Sequence, residues 1–387
     1  MRHADSPAKP SLGEVAREWG RIGCIGFGGP PAHVVLFREL CVTRRGWLAE
    51  DQFERAIAAT NLLPGPASTQ LAIYCAWRLR GPRGALVGGL GFILPGFVLI
   101  LALSVLFLAG SPPVWIRGAG MGAGAAVAAV AVRAGLGVAI PIWRRTMDVQ
   151  RPRILIYGLT GGIAAATTGP WLVLVLLACG AIELMWQRQL AGAGMSFHTW
   201  PLLAAVAEPG GTGALIWTAL KVGALAFGGG FVIVPLMQSD AVGTYHWMTH
   251  GQFLNAVALG QVTPGPVTLT VAAVGYSAGG LAAGLLAALI AFAPSFSFIL
   301  FGAARFERLL LNERVTAFLA GAAPAAAGAI IGSAIPLASA LSETWQYALL
   351  AASAIALLAL RRSVVLTLLA AGTIGAAAGL LGAPLPH

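Results

Sequence analysis

Phe27-Gly28-Gly29 and Pro64-Gly65-Pro66 recur two hundred residues later as Phe227-Gly228-Gly229 and Pro264-Gly265-Pro266. Trp47 returns as Trp247, and Gln52-Phe53 as Gln252-Phe253. Without a gap, residues 21–72 match 221–272 at 16 of 52 positions. The chain is therefore a duplication, and each copy is broken inside an apolar segment by glycine and by Pro-Gly-Pro. Many secondary transporters build a central site from discontinuous helices of two such repeats. The pattern points to transport rather than catalysis.

Composition bounds the class. Of 387 residues, 58% are hydrophobic and only 10% are charged, with a mean hydropathy of +0.81. A soluble domain carries roughly 25% charged residues, so lipid must solvate much of this apolar surface. Met1 to Pro10 is polar, and the first apolar stretch still carries Glu14, Arg17, Glu18 and Arg21, so no removable signal peptide is expected. The expectation is an all-α integral membrane protein: a polytopic helical bundle of two homologous halves, with broken helices and about 10–12 membrane crossings. The N-terminal repeat is expected over 1–186, a linker over 187–210 and the C-terminal repeat over 211–387.

The net charge of +10 sits in short loops between apolar runs, the positive-inside pattern rather than a nucleic-acid surface. Cys24, Cys41, Cys75 and Cys179 show no CxxC spacing, and His33, His246 and His250 show no metal spacing. No haem-ligating His pair or dinucleotide fingerprint is present in the sequence. The expected protein is not an enzyme and has no metal or other cofactor.

Apolar runs predict helices near 66–80, 84–109, 113–141, 153–169 and 170–186, then 257–278, 280–303, 315–340, 345–360 and 363–383. Each set follows a broken segment, 11–42 and 211–242, which either crosses or turns back. A helix over 66–80 is only about 22 Å long against a hydrocarbon core of about 30 Å, which predicts a half-helix or re-entrant element. Segment 47–60 reads as an interfacial amphipathic helix, with Trp47 and Trp247 as interface anchors. Loop charges predict an inversion. Arg78, Arg80 and Arg83 face an uncharged counterpart at 278–283, and Arg144, Arg145, Arg151 and Arg153 face no basic residue near 336–342. The bias then reverses, with Arg305, Arg308 and Arg314 against Arg117 alone, and Arg361-Arg362 against Thr167-Thr168-Gly169. Equivalent loops therefore face opposite sides.

The breaks are where an anion would bind. Gly28 and Gly29, and Gly228, Gly229 and Gly230, are expected to unwind one helix in each half. Pro64-Gly65-Pro66 and Pro264-Gly265-Pro266 start new helices, whose free N–H groups carry about half a positive charge. Asn61, Ser68, Thr69 and Gln70 flank one break, and Gln261, Thr263, Thr268 and Thr270 the other. Arg21 and Lys221 share a repeat position; a basic side chain at bilayer depth costs roughly 2.5–3.5 kcal/mol on insertion scales and should serve a purpose or snorkel. Glu18 and Glu14 lie on the same helical face as Arg21 and offer it an internal ion pair. Lys221 has no such neighbour and is the stronger anion-attracting candidate. Glu39 and Asp240, adjacent in repeat register, are candidate proton-coupling carboxylates, although interfacial solvation explains them equally well.

Phe27-Gly28-Gly29-Pro30, Arg45-Gly46-Trp47-Leu48, Leu63-Pro64-Gly65-Pro66, Phe92-Ile93-Leu94-Pro95, Phe227-Gly228-Gly229-Gly230 and Thr263-Pro264-Gly265-Pro266 resemble the chromate ion transporter family, in its long-chain, two-domain form. The likeness covers nearly the whole sequence. It implies efflux of chromate from the bacterial cytoplasm across the plasma membrane, driven by the proton motive force, with sulfate as the related oxyanion. Asn61 departs from the family pattern, where glutamine is expected, and Cys75-Ala76 stand where glycine is usual. A sulfate or other oxyanion transporter and a passive anion channel are the alternatives; oligomeric state is open.

Overall fold

Ser11 starts the first helix with a reciprocal cap. Its hydroxyl accepts from the Glu14 amide, and its own amide donates to Glu14 Oε2 at 2.7 Å. The computed structural model describes residues 9–63, 65–108, 110, 112–167, 171–190, 211–226, 231–303 and 312–385. The expectations for Pro64 and for Gly228, Gly229 and Gly230 lie outside these residues. Helix α1 (Leu12–Ile25) runs inward to a break at 26–29, and the tandem prolines begin α2 (Pro30–Arg38), which continues as a π-helical turn over Glu39–Arg44. This second arm returns to where the first began. Glu18 of α1 accepts from Arg44 and Arg45, both at 2.7 Å, and the Trp19 ring lies 5.5 Å from Phe37 and 6.4 Å from Trp47. Segment 11–42 is thus a re-entrant hairpin and not a crossing.

A second hairpin follows. Helix α3 (Glu50–Leu62) runs inward, the chain breaks at Leu63–Pro66, and the first part of α4 (Ala67–Phe107) runs outward. At Arg80 and Gly81 the backbone leaves helical geometry, and 82–107 then spans the bundle. Helix α3 divides as an amphipathic helix should, burying Phe53, Ala56 and Ala59 while Glu50, Asp51 and Glu54 stay exposed, and Trp47 stacks on Trp19. Helices α5 (Val114–Arg145), α6 (Arg151–Thr167) and α7 (Leu172–Leu190) complete the first half.

The second half repeats the plan. Helix α8 (Thr212–Leu225) enters, and α9 (Ile233–Gln238) returns through a π-helical turn at Ser239–Thr244. Helix α10 (His250–Val262) enters again, and a 3-10 turn at Val267–Leu269 leads into α11 (Thr270–Gly302), which is kinked at Gly279 and Gly280. The apolar run expected as one helix over 257–278 is split at Thr263–Pro266. Helices Glu313–Gly332, Thr344–Ala354 and Val364–Leu380 follow.

The two long spans pass each other in opposite directions. Gly89 faces the Phe296 ring while Gly284 faces Leu101, so residue number rises along one and falls along the other. The turns at 80–81 and 279–280 consequently lie at opposite ends of the bundle, which is the inversion that the loop charges predicted. The outer helices pack along seams of small residues. Gly118 and Gly122 meet Gly375 and Ala371, and Gly158 and Gly162 meet Gly328 and Gly332, each glycine lying against backbone. Arg133 of α5 donates to the carbonyls of Leu357 and Arg362, both at 2.7 Å, closing the end of the π-helical turn Ile355–Ala359. Ala67–Phe107, Val114–Arg145, Val267–Gly302 and Glu313–Ser339 are long and apolar enough to cross a membrane. Exposed Ile156, Leu159 and Ile163, and Leu366, Leu369 and Ile374, present apolar faces suited to lipid. The chain is an all-α, multi-pass membrane protein, and among the described residues four pairs of segments fold back on themselves as hairpins.

Candidate functional site

The Pro-Gly-Pro breaks sit at mid-bundle, each against the opposite half. Gly65 and Gly265 adopt φ of +122° and +96°, a region that residues with a Cβ avoid. Space demands glycine at the first break as well. A methyl group at Gly65 would lie 2.7 Å from Gln70 Nε2, 3.2 Å from the Gly223 carbonyl oxygen and 3.3 Å from Ser295 Oγ. The second break reaches the first half in return: the Gly265 amide donates to the Gly26 carbonyl at 2.9 Å. That same carbonyl accepts from His33 Nε2 at 2.9 Å. Gly96 of α4 lies against the Pro264 carbonyl, and Gly223 of α8 against the Ala291 carbonyl. The breaks are thus buried where the two antiparallel spans cross. Among the described residues no side chain caps the N-terminus of α4 at Pro66 or of the 3-10 turn at Pro266.

Around this crossing the structure places polar atoms that satisfy nothing. Thr69, Thr268 and Ser295 are buried, and among the described residues their hydroxyls have no hydrogen-bond partner; nor has Gln261 Nε2. Leaving one such buried group unmade costs about 1–3 kcal/mol. All four are hydrogen-bond donors, the kind of group that an oxyanion, which only accepts, would take. Ser68 and Gln70 are buried beside them. Thr263 and Thr270 are buried too, but their hydroxyls are spent on the carbonyls of Leu259 (3.0 Å) and Val267 (2.8 Å).

Several expected residues fall elsewhere. Asn61 is exposed at the end of α3, and Gly28 is exposed and Gly29 half-buried, so the first glycine break opens outward. Arg21 is exposed and forms no ion pair among the described residues. Its expected partner Glu18 is taken by Arg44 and Arg45, because the hairpin brings those arginines onto the buried carboxylate. Lys221 does have a partner, contrary to the reading of its local run. Its Nζ lies 2.6 Å from Asp240 Oδ2 and 2.9 Å from Oδ1, and Thr218 Oγ1 donates to Oδ2 at 2.8 Å. Asp240 is buried, whereas Glu39 is exposed. Both first hairpins are therefore tied shut by charge, with opposite polarity: the carboxylate is on the inward arm in the first half and on the outward arm in the second.

Nothing in the sequence pattern singles out Ser295 or His33 as a site residue. Ser295 lies in an unremarkable apolar run, and only its approach to Gly65 marks it. No group of three His, Cys, Asp or Glu able to hold a metal occurs among the described residues.

The family model for chromate transporters matches residues 13–184 and 213–376. A chromate transport protein of Cupriavidus metallidurans is 32% identical over 396 residues, covering 97% of this chain and 94% of that protein. A chromate transport protein of Pseudomonas aeruginosa is 31% identical, covering 87% and 83%. A probable chromate transport protein of Synechococcus elongatus is 29% identical, covering 84% of each. No solved structure matches the chain.

Proposed function

The chain belongs to the chromate transporter family, and from that premise we propose that it is a secondary transporter exporting chromate from the bacterial cytoplasm across the plasma membrane. The observation that carries this reading is the set of four buried, unpartnered donors, Thr69, Gln261, Thr268 and Ser295, on the segments that flank the two breaks. A tetrahedral dianion can take several such donors at once. The donors are neutral, so the anion is held by directed hydrogen bonds and backbone dipoles, and it can leave again.

The inverted halves supply the two states of alternating access. Each break rests on the other half, so rocking one half against the other would open the donors to either side in turn. An inside-negative potential drives an anion outward by about 2.3 kcal/mol per charge per 100 mV, and a dianion feels this twice. Asp240 is the proposed point of proton coupling. Its charge state sets the charge beside Lys221, so a proton entering there from outside could be exchanged for the anion leaving. Glu39, exposed and outside this pair, has the weaker claim.

Proteoliposomes test the proposal. Chromate flux should appear with the reconstituted chain, respond to an imposed pH gradient and potential, and fall when sulfate competes. Sulfate flux without chromate flux would keep the architecture and change the substrate. Flux indifferent to the proton gradient would make it a passive pathway.

A further inference from the structure

A cavity of about 940 Å³ opens at the end of the bundle where the first-half hairpins begin, well away from the Pro-Gly-Pro breaks. Lys9, Arg78, Arg80 and Arg83 line it together with Trp47 and Trp77, and no carboxylate is among its described lining residues. The charge is uncompensated in a way its surroundings are not. Arg38, Arg44, Arg45 and Arg55 at the same end each meet a carboxylate, whereas among the described residues none of the four cavity cations forms an ion pair. Four like charges around one concavity repel one another until an anion enters.

An apolar track starts from one of these cations. Arg83, Leu86, Leu90 and Leu94 recur at helical spacing down one face of 82–107, and all four are exposed. The face carries a cationic contact at the rim and leucines below, and the cavity wall adds the indoles of Trp47 and Trp77, a side chain that favours the lipid headgroup region. Basic pockets between membrane helices bind phosphorylated lipid headgroups. A tetrahedral oxyanion alone would leave most of this volume and all of the track unused.

We propose that this cavity binds an acidic phospholipid, with its phosphate groups among Arg78, Arg80, Arg83 and Lys9 and an acyl chain along Leu86, Leu90 and Leu94. The lipid would bridge three segments that line the cavity: the start of α1, the loop 46–49 and the turn at Arg80–Gly81. Occupancy should therefore stabilise the folded protein.

The test is thermal unfolding of the full purified chain in detergent, titrated with cardiolipin, phosphatidylglycerol, phosphatidylcholine, inorganic phosphate or chromate. The acidic lipids should raise Tm and phosphatidylcholine should not. The triple variant Arg78→Gln/Arg80→Gln/Arg83→Gln should need about 100-fold more lipid for the same shift, from about 1 kcal/mol per basic residue near a membrane surface. The control Arg361→Gln/Arg362→Gln, exposed arginines away from the cavity, should respond like wild type. An equal loss in that control, or a triple variant that responds normally, would overturn the site. A matching shift with phosphate or chromate alone would make it a free-oxyanion site and overturn the lipid.

Discussion

The Gly265 amide donates a hydrogen bond to the Gly26 carbonyl at 2.9 Å, joining the Pro-Gly-Pro break of one half to the glycine break of the other. A helix break exposes backbone polar groups, and at membrane depth these must be satisfied by protein or by a water-lined cavity. Here one half satisfies the break of the other, and the Gly65 break packs against Gly223 and Ser295 in return. The arrangement explains why both breaks persist in an otherwise apolar chain, and why neither half would be expected to bury its break alone.

The unpartnered hydroxyls separate a binding role from a structural one. Thr69→Val, Thr268→Val and Ser295→Ala each remove a buried donor that satisfies nothing in the protein. We expect unchanged or slightly raised Tm in each variant. A hydrogen bond to a charged group is worth about 1.5–3 kcal/mol, so the KM for chromate flux should rise roughly tenfold or more per donor. Loss of stability with normal KM would show that these groups pack rather than bind.

Lys221 and Asp240 call for a double-mutant cycle. Lys221→Ala leaves a buried carboxylate uncompensated, and breaking such a pair costs about 3–5 kcal/mol. Folded yield should drop, and Lys221→Ala/Asp240→Ala should recover most of it. Flux decides the role. Recovery of folding without recovery of chromate flux assigns the pair to transport, whereas recovery of both makes it a structural tie.

Gly265→Ala/Pro266→Ala probes the break itself. Alanine in the left-handed region costs roughly 1–2 kcal/mol, and removing the proline lets the chain continue helically. Flux should be lost while membrane insertion, followed by a C-terminal reporter, remains. Normal transport by this variant would remove the half-helix from the mechanism.

Gly223→Leu tests the contact between the broken segment and the central span. A side chain there would overlap the Ala291 carbonyl, and overpacking typically costs about 1–3 kcal/mol. Size-exclusion profiles in detergent should show reduced monodispersity. A variant that elutes and transports like wild type would contradict the close approach of α8 to α11.

Much of this architecture was legible in one dimension. The duplication, the membrane class, the position of the breaks and the opposed halves follow from repeat register, composition and loop charge, which survive without knowledge of contacts. Helical spacing misled at Arg21, because it sees only neighbours on one helix: Glu18 is near in sequence, yet the returning arm delivers Arg44 and Arg45 to it. The same blindness hid Asp240 from Lys221, which lies one hairpin turn away.

The sequence by itself determined that this is a duplicated, inverted helical membrane protein with two breaks in each half, since solvation by lipid and the chemistry of glycine and proline act locally. Only the tertiary structure decided that the broken segments fold back as hairpins, that Ser295 and His33 join the central crossing, and that Arg21, Asn61 and Glu39 stay outside it. Those outcomes depend on which arm packs against which. The energies that decide them, a shared charge pair or a carbonyl seated on a glycine, belong to pairs of residues far apart in the chain.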